Sequence, residues 1–172
     1  MAMAEASRPV GVVVRRRAID NPWIDHTWSP VAILDEVPAT APWTVLSTAA
    51  GATLYYAGAA NIDLFRSDTG NYRDNLADGE PRIWVALRRQ DGGAELELTK
   101  VTADPTEGEA MFESGCDVIA TVPMPADVAS WIAAFVDEFH VERAFHKRQR
   151  DRADGDRRPL PGGLPDERTG RR

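Results

Sequence analysis

The sequence predicts an α+β fold: a mostly antiparallel sheet of about seven strands, two short inserted helices, and a C-terminal amphipathic helix packed on the sheet. Three observations carry this expectation. Turn signals made of Gly, Pro, Asn and Asp recur roughly every 8 to 15 residues. The segments between them are rich in β-branched residues and alternate with period two. The last patterned segment, Val128 to Phe139, changes to a helical period.

Taken in order, Val10 to Ile19 reads as a strand with Val10, Val12 and Val14 on one face, ended by Asp20-Asn21-Pro22. Trp28 to Leu34 returns alongside it, and a loop holding Pro38 and Pro42 leads to a third strand at Trp43 to Thr48. Ala50-Gly51 turns the chain into a long strand, Thr53 to Phe65, on which Leu54, Tyr56, Gly58, Ala60, Ile62 and Leu64 are expected to share a face. Asp68 is placed to cap a short helix running to Leu76. Ile83, Val85 and Leu87 mark the next strand, and Asp91-Gly92-Gly93 turns it into Ala94 to Thr102. Asp104-Pro105-Thr106-Glu107 has a cap, a proline at the first helical position and a glutamate three residues after the cap, which together start a helix that Gly115 ends. A strand at Asp117 to Val122 precedes the last helix, whose stripe of Val128, Trp131, Ile132, Phe135 and Phe139 places Trp131 in the core.

The domain expectation is a flexible N-terminus over 1–9, a single α+β domain over 10–146, and a disordered, basic, Pro/Gly-rich tail over 147–172. A chain of 172 residues with 43% hydrophobic residues fits one core and no membrane span, so cytoplasm is the expected location. The net charge of -7 is unevenly spread: Arg143 to Arg172 carry ten Lys and Arg against five Asp and Glu, leaving the body strongly acidic. Such a body repels a phosphate backbone, so nucleic-acid binding is disfavoured except through the tail. Cys116 is the only cysteine, and with three histidines it is too small a set for a structural zinc site. No cofactor is expected, since neither a dinucleotide-binding glycine fingerprint nor a phosphate-binding loop occurs.

Asp25 and His26, flanked by Trp23 and Trp28, form the smallest unit of acid/base chemistry, although neighbours on an extended segment point in different directions and need not touch. Arg15, Arg16 and Arg17 alternate across a strand, which excludes one compact phosphate clamp and reads as charge protecting an edge strand. Cys116 has no Lys, Arg or His beside it in sequence to lower its pKa. His140, at the end of the last helix, has a structural reason to be there in the helix dipole.

These residues carry a resemblance. Asn21-Pro22-Trp23 with Asp25-His26, Trp28 and Pro30-Val31-Ala32, then Tyr56, Gly58, Tyr72-Arg73, Asn75-Leu76, Pro81, Val85, Leu87-Arg88, Val101-Thr102-Ala103, Pro105 and Val122-Pro123-Met124-Pro125 form its first part. Trp131, Phe135-Val136, His140-Val141-Glu142, Phe145 and Lys147-Arg148 complete it, so that it spans about Val10 to Arg150. Together they resemble a bacterial family of unknown function typically encoded among genes for molybdenum- or tungsten-dependent formate dehydrogenase and its accessory proteins. This chain departs from the pattern at Ser67 to Asn71, where an acidic, helix-favouring stretch is expected, and at Phe65, where histidine is common.

The resemblance implies a setting: a non-catalytic cytoplasmic accessory protein for assembly or activity of a molybdenum-cofactor oxidoreductase, with an enzyme subunit or a maturation factor as partner. Trp23, Asp25, His26, Trp28, His140, Glu142, Lys147 and Arg148 are the expected partner-binding residues, with no catalytic residue and no metal ligand. Two other readings stay open, a small enzyme of cofactor handling that uses Asp25 and His26 as an acid/base pair, and a tail-mediated binder of acidic partners.

Overall fold

Runs of β-branched residues, broken by Asn-Pro, Pro-rich and Ala-Gly turns, become seven strands in the computed structural model, which describes residues 3–90 and 96–141. They are β1 (Ala6–Ala18), β2 (His26–Leu34), β3 (Thr44–Ala49), β4 (Ala52–Leu64), β5 (Arg82–Arg89), β6 (Leu96–Thr102) and β7 (Val118–Pro123). Helix α1 (Thr69–Ala77), entered through a 3-10 turn at Arg66–Asp68, joins β4 to β5; α2 (Pro105–Met111) joins β6 to β7, and α3 (Ala126–Phe139) follows β7. The expected α+β mixture is there, but the one sheet is two: an antiparallel four-stranded sheet in the order β2-β1-β4-β3 and an antiparallel three-stranded sheet in the order β6-β5-β7. Both sides of β4 find partners in β1 and β3, and the chain then leaves through α1, so β5 begins a ladder of its own. The sheets still approach one another, β2 lying beside β7 and β4 beside β6.

Between them lies the core. Val10, Val12 and Val14 from β1, Ile62 and Leu64 from β4, and Ile83, Val85 and Leu87 from β5 are all fully buried. Helix α3 adds Val128, Ile132, Phe135 and Val136 to the same cluster. Each such aliphatic side chain stabilises the fold by roughly 1.5–3 kcal/mol relative to exposure. The α3 stripe is therefore shifted from the one expected: Val136 is inside, whereas Trp131 and Phe139 are only partly buried and pack against the rim. Trp131 is held from outside, with the Arg8 guanidinium 5.9 Å from its ring centroid.

Two corrections concern the long strands. β1 is not an edge strand, because it pairs along its length with β2 on one side and β4 on the other, so Arg15 to Arg17 do not guard an edge. It also begins at Ala6, four residues before the expected start, with Ala6 paired to Leu64. In β4 the predicted face breaks at a bulge. Val12 pairs with Gly58 but Val13 pairs with Tyr56, so Ala57 is the extra residue and Gly58 takes φ 126, a conformation glycine adopts without strain. Beyond the bulge it is Tyr55, opposite Val14, that continues the face of Gly58, Ala60, Ile62 and Leu64, while Tyr56 turns to the other side beside Gly11.

Local signals fare better. The Asp104 carboxylate caps α2, its Oδ1 accepting from the Thr106 and Glu107 amides at 2.8 and 3.4 Å, with Pro105 at the first helical position. Asp68 stands at the N-cap of α1 without a side-chain hydrogen bond. Ala50 and Gly51 close the β3–β4 hairpin with φ 49 and φ 74, the pair of positive values of a type I′ turn. Alanine is a poor residue for the first of these. Ala50→Asn is expected to raise stability by about 0.5–1 kcal/mol in urea denaturation, whereas Ala50→Val should lower it.

Among the described residues no helix is long and apolar enough to cross a membrane. The expected turn at Asp91-Gly92-Gly93 and the tail over 147–172 lie outside the described residues.

Candidate functional site

The loop between β1 and β2 is built by Asn21. Its side-chain Oδ1 accepts from the amides of Trp23 and Ile24 at 2.8 and 3.4 Å, while the Ile19 amide bonds the Asp25 carbonyl at 3.1 Å and closes the loop base. The result pushes Trp23 into solvent, 89% exposed, with Ile24 beside it 51% exposed. A freely exposed tryptophan has no packing reason to be there. Behind it a cavity of about 310 Å³ is lined by the loop residues Asn21 to His26 and by Arg89 from β5.

His26 opens β2 and belongs to this cavity and to a second, larger one. That second cleft, about 530 Å³, is lined by Arg16, His26, Trp28, Pro42, Trp43, Tyr55 and Leu96. The β-ladder explains the grouping: Arg16 of β1 stands opposite Trp28 of β2, and Val14, one alternation along β1, stands opposite Tyr55 of β4, so these side chains share a face. The rings pack edge to face or tilted. Trp28 lies 5.6 Å from His26, 5.7 Å from Trp43 and 5.4 Å from Tyr55, centroid to centroid. Trp43 is held in place by its backbone, at φ 65, a left-handed conformation that a bulky residue adopts at a cost of order 1–3 kcal/mol. Its amide bonds the Tyr56 carbonyl, fixing the ring over the cleft.

Polar groups are few here. The His26 Nδ1–H donates to Asp25 Oδ1, so the adjacent pair does touch, although neighbours on an extended segment need not. That hydrogen bond, foremost among several causes, holds the Asp25 carboxyl below its ordinary range, with the charge of Arg16 assisting. Arg16 Nη2 lies 3.3 Å from the same Nδ1 and its guanidinium 5.9 Å from the Trp28 centroid. Since both Arg16 and the protonated Nδ1 are donors, the imidazole gives Arg16 no acceptor. The Trp28 Nε1–H is buried and has no hydrogen-bond partner among the described residues.

Of the expected site residues, Trp23, Asp25, His26 and Trp28 are thus brought together. His140 is not among them. It ends α3 against α1, where Arg73 Nη1 donates to its Nε2 at 2.8 Å and its Nδ1 meets Thr69 Oγ1 at 3.1 Å. Tyr55 lies near the start of β4, about 30 Å from Leu64 at its C-terminal end at ~3.3 Å per strand residue, and Thr69 follows that end. Glu142, Lys147 and Arg148 lie outside the described residues. The reading from sequence missed Arg16 and Tyr55 as members of the cleft. For Arg16 a signal existed, because it shares the alternation of Val10, Val12 and Val14; for Tyr55 the bulge concealed it.

Elsewhere, Cys116 proves less isolated than its sequence neighbours suggest. A hydrogen bond with Ser114, foremost, and others with Thr99 and Arg88 draw its thiol below the ordinary value against the opposing effect of burial. Among the described residues no group of three or more His, Cys, Asp or Glu is placed to hold a metal ion.

A family model described as a protein of unknown function, DUF3305, matches residues 9–149. No curated protein and no solved structure matches the chain. The chain belongs to the DUF3305 family.

Proposed function

We propose that this DUF3305 chain is a non-catalytic binding protein that docks a partner polypeptide on the Trp23 loop and the adjoining aromatic cleft. The observation that carries the reading is the cleft itself: Trp28, Tyr55 and the Arg16 guanidinium on paired strands and Trp43 in the turn before β3, beside a tryptophan 89% exposed. Interface hot spots are enriched in Trp, Tyr and Arg of this kind, seated in pockets on a fixed scaffold. The setting follows the resemblance of the Asn21-to-Trp28 string and the strings that end the matched region: a cytoplasmic accessory role for a molybdenum-cofactor oxidoreductase of the formate dehydrogenase type, with an enzyme subunit or maturation factor as partner.

The test is co-purification of the tagged chain with co-expressed formate dehydrogenase subunits and maturation factors, for the wild type and for Trp23→Ala and Trp43→Ala. Both variants should keep the fold by circular dichroism and lose at least about tenfold in capture, the loss that a hot-spot truncation of 1.4 kcal/mol or more produces. Undiminished capture by both would sink the docking reading. If nothing in this set is captured by the wild type, the molybdoenzyme setting falls.

The hydrogen-bonded Asp25 and His26 favour a second reading, a small enzyme of cofactor handling with this pair as acid and base. His26→Ala separates the two: an enzyme keeps capture and loses roughly 10²- to 10⁴-fold in a chemical step, whereas a docking surface loses capture.

A further inference from the structure

We infer that the aromatic cleft selects an acidic segment, one in which an apolar or aromatic side chain is flanked by carboxylates. This rests on the docking reading and adds the chemistry of what is docked. The chain as a whole carries a net charge of -7, yet the cleft wall presents a cation. Arg16 makes no ion pair among the described residues, and the carboxylate of Asp25 accepts from His26. Arg89 lines the neighbouring cavity, which His26 also lines. The Trp28 Nε1–H is buried and has no acceptor among the described residues, so the donor the cleft offers is Arg16. A site holding apolar rings and a guanidinium without an ion pair complements a ligand that brings an apolar group and a carboxylate, which beside Arg16 would form the stronger, charge-assisted kind of hydrogen bond. Rigid strands hold both halves: Arg16 lies in the central β1, locked between β2 and β4.

The experiment uses the full chain and two peptides of equal size, acetyl-Glu-Phe-Glu-amide and acetyl-Gln-Phe-Gln-amide, titrated while following the indole N–H signals of the five tryptophans by nuclear magnetic resonance. Single Trp→Phe variants assign the signals. The acidic peptide should shift Trp28 and Trp43 with a Kd at least about tenfold below that of the neutral one, the ratio expected of one charge-assisted hydrogen bond. Arg16→Gln should erase that ratio, and Arg16→Lys should keep most of it. A measurement without substitutions supports the same point: raising salt from about 50 to 500 mM should weaken the acidic peptide and leave the neutral one unchanged. Equal affinity for both peptides at Trp28 and Trp43 would overturn the anion preference and leave the cleft as a docking site. A preference that survives Arg16→Gln and high salt would overturn the role given to Arg16. No shift of Trp28 or Trp43 by either peptide would overturn the inference together with the cleft's part in docking.

Discussion

Ile132→Ala is expected to destabilise the protein by about 2–5 kcal/mol, and Trp131→Ala, one residue away, by only about 1–2 kcal/mol. Ile132 is fully buried in the cluster that joins α3 to both sheets, so truncation removes apolar contacts and leaves a cavity that the close-packed neighbours Val128, Phe135 and Val136 cannot fill without moving. Trp131 is the larger side chain, and its position in the helical stripe would make it the greater loss, about 3–5 kcal/mol, were it core. It sits instead at the rim, partly open to water and covered by Arg8, whose guanidinium also reaches Asp35. Truncation there ends at solvent rather than in a void. Urea denaturation of the two variants decides the order, and a Trp131→Ala variant less stable than Ile132→Ala would show that α3 is rotated toward the face read from its sequence.

The strands and helices were legible because their signals are local. Turn chemistry and alternation placed seven strands within a few residues, and Asp104-Pro105-Thr106-Glu107 started α2 as a capping motif should. What was not legible was which strands lie side by side. Three arginines in a row on β1 looked like edge protection, and only the pairing of β1 with both β2 and β4 shows that strand to be central. Alternation also assumes an unbroken ladder. One extra residue, Ala57, shifts the phase of β4, so that Tyr55 rather than Tyr56 faces the cleft.

The same phase shift governs how much of the site could be read. The Trp23-to-Trp28 stretch drew attention by composition, and its residues are indeed contiguous in space because one short loop carries them. Trp43 and Tyr55 are brought to Trp28 across strands, by a left-handed backbone at Trp43 that has no sequence signature of its own and by the bulge in β4, signalled only by Gly58 inside a strand pattern. His140 was grouped with them on resemblance alone, and it stands at the other end of β4 in contacts with Thr69 and Arg73. The carboxylate of Asp25 accepts a hydrogen bond from His26, and Arg16 makes no ion pair among the described residues.

Gly108→Ala is expected to destabilise by about 1–3 kcal/mol, or to displace α2, although alanine is the better helix former by about 1 kcal/mol. The reason is a close approach. A Cβ on Gly108 would lie 2.2, 2.3 and 2.5 Å from Cγ, Cδ1 and Cδ2 of Trp84, ring atoms on β5 that have no flexible end to swing away. Either the indole or the helix must give, and α2 is tied at its start, where Asp104 holds the Thr106 and Glu107 amides and accepts from Asn71 at 3.0 Å. Loosening that end would also disturb α1, which Asn71 belongs to. A double-mutant cycle isolates the clash from any general intolerance of the helix. Trp84→Leu opens space in front of the Gly108 Cα, and in that background Gly108→Ala should become neutral or stabilising, with a coupling energy of about 2 kcal/mol or more. Equal costs in the two backgrounds would show that α2 does not rest its glycine on the Trp84 ring.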